Sequence, residues 1–372
     1  MTVLLAPSQT ISEAPLPALD VRALARRAAI PATVCAVALL CVIVGGGRVH
    51  AFVDGLRRGL GVKPGWAGLG VAFECVSLAG YVGLLSLVAG RATARIGARE
   101  SAQITLAGAA ATRLLPTAGA GGLGLTLWTL RRAGLRTPAA TRTLLAFLVL
   151  LCSVFLGAMV AAGGLLTLGL VSSGGPAELS AAAAGAGLLA IALALTLAFL
   201  VNADREAVGQ HDRAGSRLPR LRAGARLAGE AVRDACGLLR SGDPRLAGAL
   251  AYWMFDAAVL WAMLHALGLS PAVAVVVLAY FVGQLANTVP VPGSVSGGIA
   301  GVLVMFGMPA ELVLPSVLAY RAISVWLPAP VAIAAVPGLR ATIARWARED
   351  ATPAGELPLT PGSARACRYG HM

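Results

Sequence analysis

The chain has 372 residues, of which 58% are hydrophobic and only 13% charged, and it carries a net charge of +13. A soluble chain of this length would divide into two or so domains with polar surfaces. Here no stretch outside residues 203 to 245 is polar enough to fold in water, which leaves no room for a soluble catalytic domain.

Taken in chain order, six apolar runs read as full membrane spans: about 28 to 46, 66 to 89, 142 to 170, 182 to 201, 246 to 268 and 311 to 337. Each approaches or exceeds the ~20 residues that a helix needs to cross a ~30 Å hydrocarbon layer. The first follows Arg22, Arg26 and Arg27 and resembles a secretory signal, with Val49-His50-Ala51 as a poor cleavage site. Its length, and the spans behind it, favour a retained helix. The expectation is an all-α polytopic membrane domain over residues 26 to 345, with short cytoplasmic tails at 1 to 25 and 346 to 372.

Arginine sets the orientation, because short loops rich in Arg or Lys stay cytoplasmic. Residues 90 to 141 carry Arg91, Arg95, Arg99, Arg113, Arg131, Arg132 and Arg136, and 203 to 245 carry nine more arginines. Both belong inside, together with both termini, whereas the uncharged-to-acidic connection 171 to 181 belongs outside. Residues 47 to 65 contradict the pattern, since Arg48, Arg57, Arg58 and Lys63 would lie outside. The basic balance is therefore a topology signal, and no nucleic-acid module accompanies it. Within the long loop, Leu218, Leu221, Ala225, Ala228, Val232, Ala235 and Leu239 recur at three and four spacing. That pattern fits an amphipathic helix on an anionic leaflet. A solvated linker reads equally well, given Pro219, Gly224 and Gly229.

Two segments break the apolar pattern. Residues 113 to 135 and 289 to 308 each contain a Pro-x-x-Gly step, Pro116 to Gly119 and Pro290 to Gly293. Each also contains a Gly-Gly pair, Gly121-Gly122 and Gly297-Gly298. Unpaired backbone costs several kcal/mol per group in lipid, so such breaks survive only when buried in protein or lining a watery cavity. Two re-entrant helical hairpins are expected, the first from the cytoplasm and the second from outside, as in an inverted-topology repeat. The alternative is that these glycines only let helices pack closely.

Charge at membrane depth marks function by default. Glu74, Asp256 and Arg321 are the three such residues. A guanidinium can hold a phosphate bidentately, which assigns Arg321 to a phosphate. Asp256 would neutralise Arg321 or meet a cationic group, Glu74 would do the same from the second span, and a structural ion pair is the competing reading for both. Half-helix N-termini near Gly119 and Gly293 would add positive charge. The six cysteines and four histidines show no zinc or redox spacing, and no HExxH or DxD motif appears. No cofactor, no metal and no enzymatic activity are expected.

The stretches "LPTAGAGGLGLTLWTLRRAGL", "ALAYWMFDAAVLWAMLHALG" and "VPVPGSVSGGIAGVLVMFGMPAELVLPSVLAYRAISVWLP" resemble the membrane domain of lysylphosphatidylglycerol synthases, a flippase-like family, over most of residues 25 to 345. The most specific part runs from Pro290 to the Tyr320-Arg321 step. The resemblance implies a lipid translocator. In two-domain relatives a cytosolic domain transfers the aminoacyl group, and no counterpart stands in these residues, so synthase activity is expected to be absent. Where many relatives carry a carboxylate after the Gly-Gly pair, this chain reads Ile299-Ala300-Gly301, so no proton or headgroup role carries over to that position. The function expected is binding and translocation of a phospholipid or polyprenyl-phosphate-linked lipid. A partner-recruiting scaffold and a headgroup-modifying enzyme remain the alternatives.

Overall fold

The computed structural model describes residues 63–114, 120–171, 174–208, 219–288, 293–326 and 328–351, all of them helical or in short connections. The expected first span, 28 to 46, and both tails lie outside the described residues. Among the described residues five helices are long and apolar enough to cross a membrane, and they correspond to the other five expected spans.

The first, α1 (Pro64–Ala92), starts on a proline, whose missing N–H costs nothing at a helix N-terminus. After it come the shorter α2 (Ala98–Leu114) and α3 (Ala120–Arg132), which pack against each other as a hairpin. Next is α4 (Thr137–Thr167), which begins at Pro138 and ends before Gly169, whose φ of +68° only glycine adopts without strain. It pairs with α5 (Ala177–Val208). The contact is close because a Cβ on Gly163 would lie 2.6 Å from the Ser180 carbonyl. Leu188, Leu189, Leu193 and Leu195 of α5 face outward, as lipid-facing residues should.

The basic loop contains α6 (Pro219–Arg240). It packs on α4 and α5, with Ala231, Ala235 and Leu238 buried. Part of its apolar side is thus used against the bundle, where Arg142 of α4 also binds Asp234 at 2.7 Å and Glu230 at 3.6 Å, while Leu239 of the expected stripe is exposed. Asp243 then caps a short turn by accepting from the Arg245 N–H, and the Arg245 side chain holds its carboxylate down at about 2. From this turn rises α7 (Ala247–Ala266), which crosses α1 so closely that a Cβ on Gly248 would sit 2.3 Å from the Gly80 carbonyl. Ser77 donates to the Tyr252 carbonyl at 2.8 Å across the same contact.

A second hairpin follows, α8 (Val273–Leu285) and α9 (Ser294–Met305). Last come α10 (Ala310–Arg321), a π-helical turn at Ala322–Trp326, and α11 (Pro328–Ala351). The sixth expected span is thus one path interrupted just after Arg321.

The two hairpins enter from opposite ends of the bundle. At one end Arg91 of α1 donates to Ser241, Arg345 of α11 binds Glu100 of α2 at 3.3 Å, and Thr93 donates to the Ala133 carbonyl beyond α3. The open end of the first hairpin therefore lies with the arginines. At the other end Trp66 of α1 stacks near His265 of α7, and Phe306, at the end of α9, packs on Gly175. The open end of the second hairpin lies there. Each hairpin sits in its own buried apolar cluster, one formed with the middle of α7 and α10, the other with the C-terminal half of α1 and α11.

Candidate functional site

Between these two clusters lies a cavity of about 370 Å³. It is lined by helical stripes. From α1 come Glu74, Ser77, Leu78 and Tyr81, spaced i, i+3, i+4 and i+7, and from α2 come Thr105, Gly108, Ala109 and Thr112 at the same spacing. Gly122 and Thr126 of α3 complete the wall of the first hairpin. The second hairpin supplies Gln284, Asn287 and Val295, and α7 supplies Tyr252 and Asp256. Tyr320 and Arg321 end α10, and the π turn that follows adds Ser324 and Val325. Hairpins from opposite ends thus close on one polar chamber.

All three intramembrane charges meet here. Glu74 is 6% exposed, and its neighbours Cys75 and Val76 face outward, so the carboxylate is turned into the bundle. Asp256 accepts hydrogen bonds from Tyr280 at 2.5 Å and from Tyr320 at 3.2 Å, both through Oδ2. Two phenols, buried at 0% and 1% exposure, hold the Asp256 carboxylate in place. Among the described residues Arg321 forms no hydrogen bond or ion pair. Arg321 is partly exposed on the cavity wall, where its guanidinium offers the planar donor fork that a phosphate takes up.

Of the other residues singled out in the sequence, Gly122 lines the cavity and Gly121 precedes it on α3. Gly293 holds the left-handed conformation, φ +84°, that starts α9 and is exposed. Gly297 is exposed as well, because it lies about 200° round the helix from the cavity-facing Val295. Gly298 faces α8, where a Cβ would come within 3.0 Å of Gly283 Cα. The structure therefore gives Gly298 a packing role and leaves Gly293 and Gly297 outside the cavity wall. Pro116, Gly119 and Pro290 lie outside the described residues.

Gly122 shares the packing role. Its Cβ would meet the Gly108 carbonyl at 3.0 Å, so each hairpin crosses at a glycine pair, Gly108 with Gly122 and Gly283 with Gly298. In both cases the second glycine of a Gly-Gly pair meets a glycine on the first arm. Residues 33–332 match the family described as the lysylphosphatidylglycerol synthase TM region. The chain belongs to this family. No curated protein matches it. Ile299, which follows the Gly-Gly pair, is fully buried against Gly283. That position is part of the hairpin seam.

Sequence reasoning missed Tyr280, which reaches Asp256 from another helix and carries no local signal. It also passed over the hydroxyl stripe Thr105, Thr112 and Thr126, although its helical spacing was readable. Among the described residues no group of three His, Cys, Asp or Glu side chains converges as a metal site would require.

Proposed function

We propose that this membrane protein binds a phospholipid or lipid-linked substrate by its phosphate at Arg321 and carries the headgroup across the bilayer. The observation behind this reading is the guanidinium of Arg321, which lies in a polar cavity between oppositely entering hairpins and has no ion pair among the described residues. The hairpin arms have 17, 13, 13 and 12 residues. At 1.5 Å per residue they are about 18 to 26 Å long, short of a ~30 Å hydrocarbon layer, which fits re-entrant hairpins in an inverted repeat. The arginine-rich end is the cytoplasmic end on this reading. The chain acts as a carrier and not as an enzyme. A recruiting scaffold has less support, because the buried side of α6 is already occupied by α4 and α5.

The test is reconstitution in liposomes with fluorescent phospholipids, scored by the fraction that an impermeant quencher bleaches, with headgroup turnover followed by mass spectrometry. Wild-type protein is expected to move the lipid without altering its headgroup. Arg321→Lys keeps the charge but loses the planar fork, and transport should fall about tenfold or more at equal membrane abundance. Wild-type transport by that variant would leave Arg321 a structural residue.

A further inference from the structure

At the arginine-rich end, α1, α4 and α6 enclose a second cavity of about 560 Å³, separate from the one around Arg321. Its floor is apolar, with Val88, Ala146 and Leu238, and its rim is basic, with Arg91, Arg142 and Arg233. Arg142 is already matched by the acidic side chains of α6, Asp234 at 2.7 Å and Glu230 at 3.6 Å. The other two are less closely matched: Arg91 is within electrostatic reach of Asp243, whose carboxylate Arg245 already binds at 2.8 Å. Arg91 donates to the Ser241 hydroxyl at 3.0 Å and Arg233 to the Gly229 carbonyl at 3.3 Å, contacts that leave most of each guanidinium's donors unused. Neither forms an ion pair among the described residues.

We infer that this cavity is a phosphate site that takes the headgroup of an anionic phospholipid from the adjoining leaflet. Two exposed guanidiniums on the lining of one cavity match a phosphodiester, whose oxygens accept several charge-assisted hydrogen bonds. The apolar floor decides between the two sources of that chemistry. A free phosphate ion gains nothing from Val88, Ala146 and Leu238, whereas the glycerol and first methylenes of a lipid bury against them. Basic pockets between helices at the membrane surface are the usual place for such a headgroup. A lipid seated there would touch α1, α4 and α6 together and fasten α6 to the bundle beyond its apolar packing and the ion pairs at Arg142.

The experiment is native mass spectrometry of the full chain in detergent, with phosphatidylglycerol, phosphatidylcholine or inorganic phosphate added. Wild-type protein is expected to retain phosphatidylglycerol over phosphatidylcholine. In the double variant Arg91→Ala/Arg233→Ala its affinity should fall about tenfold to thirtyfold, because each arginine near the surface contributes a comparable share. A second variant, Ala139→Trp, fills the cavity from an exposed position on its wall and should lose the same lipid while leaving the arginines intact. Arg321→Lys should retain it, which separates this site from the transport site. Wild-type phosphatidylglycerol affinity in the double variant or in Ala139→Trp would overturn the site. Displacement of the lipid by millimolar inorganic phosphate would overturn the assignment to a lipid.

Discussion

The first hairpin, α2 with α3, adds polar ties to α11 to its apolar packing, while the second, α8 with α9, is fastened to its neighbours mainly by apolar packing. Thr342 of α11 donates to Gln103 at 2.8 Å, Arg345 reaches Glu100, and Arg95, just before α2, pairs with Asp350. By contrast Leu278, Ala279, Tyr280 and Phe281 of α8, with Ile299 and Leu303 of α9, are all fully buried. The seams differ in the same sense. In the second hairpin a Cβ on Gly283 would meet Ile299 Cγ1 at 2.3 Å and the Ile299 backbone nitrogen at 2.9 Å, whereas in the first the tightest neighbour of Gly122 is the Thr112 hydroxyl at 2.5 Å. One crossing geometry therefore serves two purposes. The second hairpin positions Tyr280 on Asp256 and sets Gln284 and Asn287 on the cavity wall, and the first turns its threonines to the same cavity.

The largest effect that could break this comparison is expected at Gly283. Gly283→Val should cost about 3 kcal/mol or more through overpacking against backbone. Folded, detergent-stable protein should largely disappear in size-exclusion chromatography, while Gly297→Val, whose Cβ meets nothing within 4 Å, should behave as wild type. Equal behaviour of the two would mean that the second seam is not tight.

A finer comparison uses rescue. Gly122→Ala should lower the thermal midpoint, and adding Thr112→Ala should restore part of the loss because the nearest clash is with that hydroxyl. No side-chain truncation should rescue Gly298→Ala to the same degree, since its nearest neighbour is the Gly283 backbone. Thermal unfolding of these variants at matched detergent concentration reads the difference.

The Asp256 clamp sets the next scale. Tyr280→Phe deletes the shorter hydrogen bond and should cost about 2 kcal/mol, as hydrogen bonds to charged groups do. Tyr320→Phe, which deletes the 3.2 Å bond, should cost less. A larger loss for Tyr320→Phe would reverse the roles assigned to the two phenols.

The smallest effect is expected at the surface. Asp350→Asn removes an ion pair whose side chains are 30% and 54% exposed, and screening should hold the change in unfolding free energy within about 1 kcal/mol. A substantially greater loss would show that the polar fastening of the first hairpin carries more of its stability than exposure allows.

Much of this architecture was legible because a bilayer leaves few options. Continuous apolar runs must be helices and arginines collect at one end, so five of the six expected spans, and the paired short helices at the two Pro-Gly breaks, follow from local composition. The charged residues Glu74, Asp256 and Arg321 were legible for the same reason, since charge is rare in such runs. The roles of the glycines were not. Gly297 and Gly298 are adjacent and identical in sequence, yet one meets open space and the other meets Gly283, fifteen positions earlier in the chain. Which side of α9 turns toward α8 is fixed by how two helices dock, and no local pattern states it. Tyr280 shows the same limit, because its partner Asp256 lies on another helix and only the antiparallel packing of α7, α8 and α10 brings the two phenols to one carboxylate oxygen. Sequence decided which residues had to leave water and which could not face lipid, since transfer free energy is a property of each side chain. The pairing of those residues across helices was decided by tertiary structure alone, because contact between distant segments depends on the relative rotation of helices that hydropathy does not record.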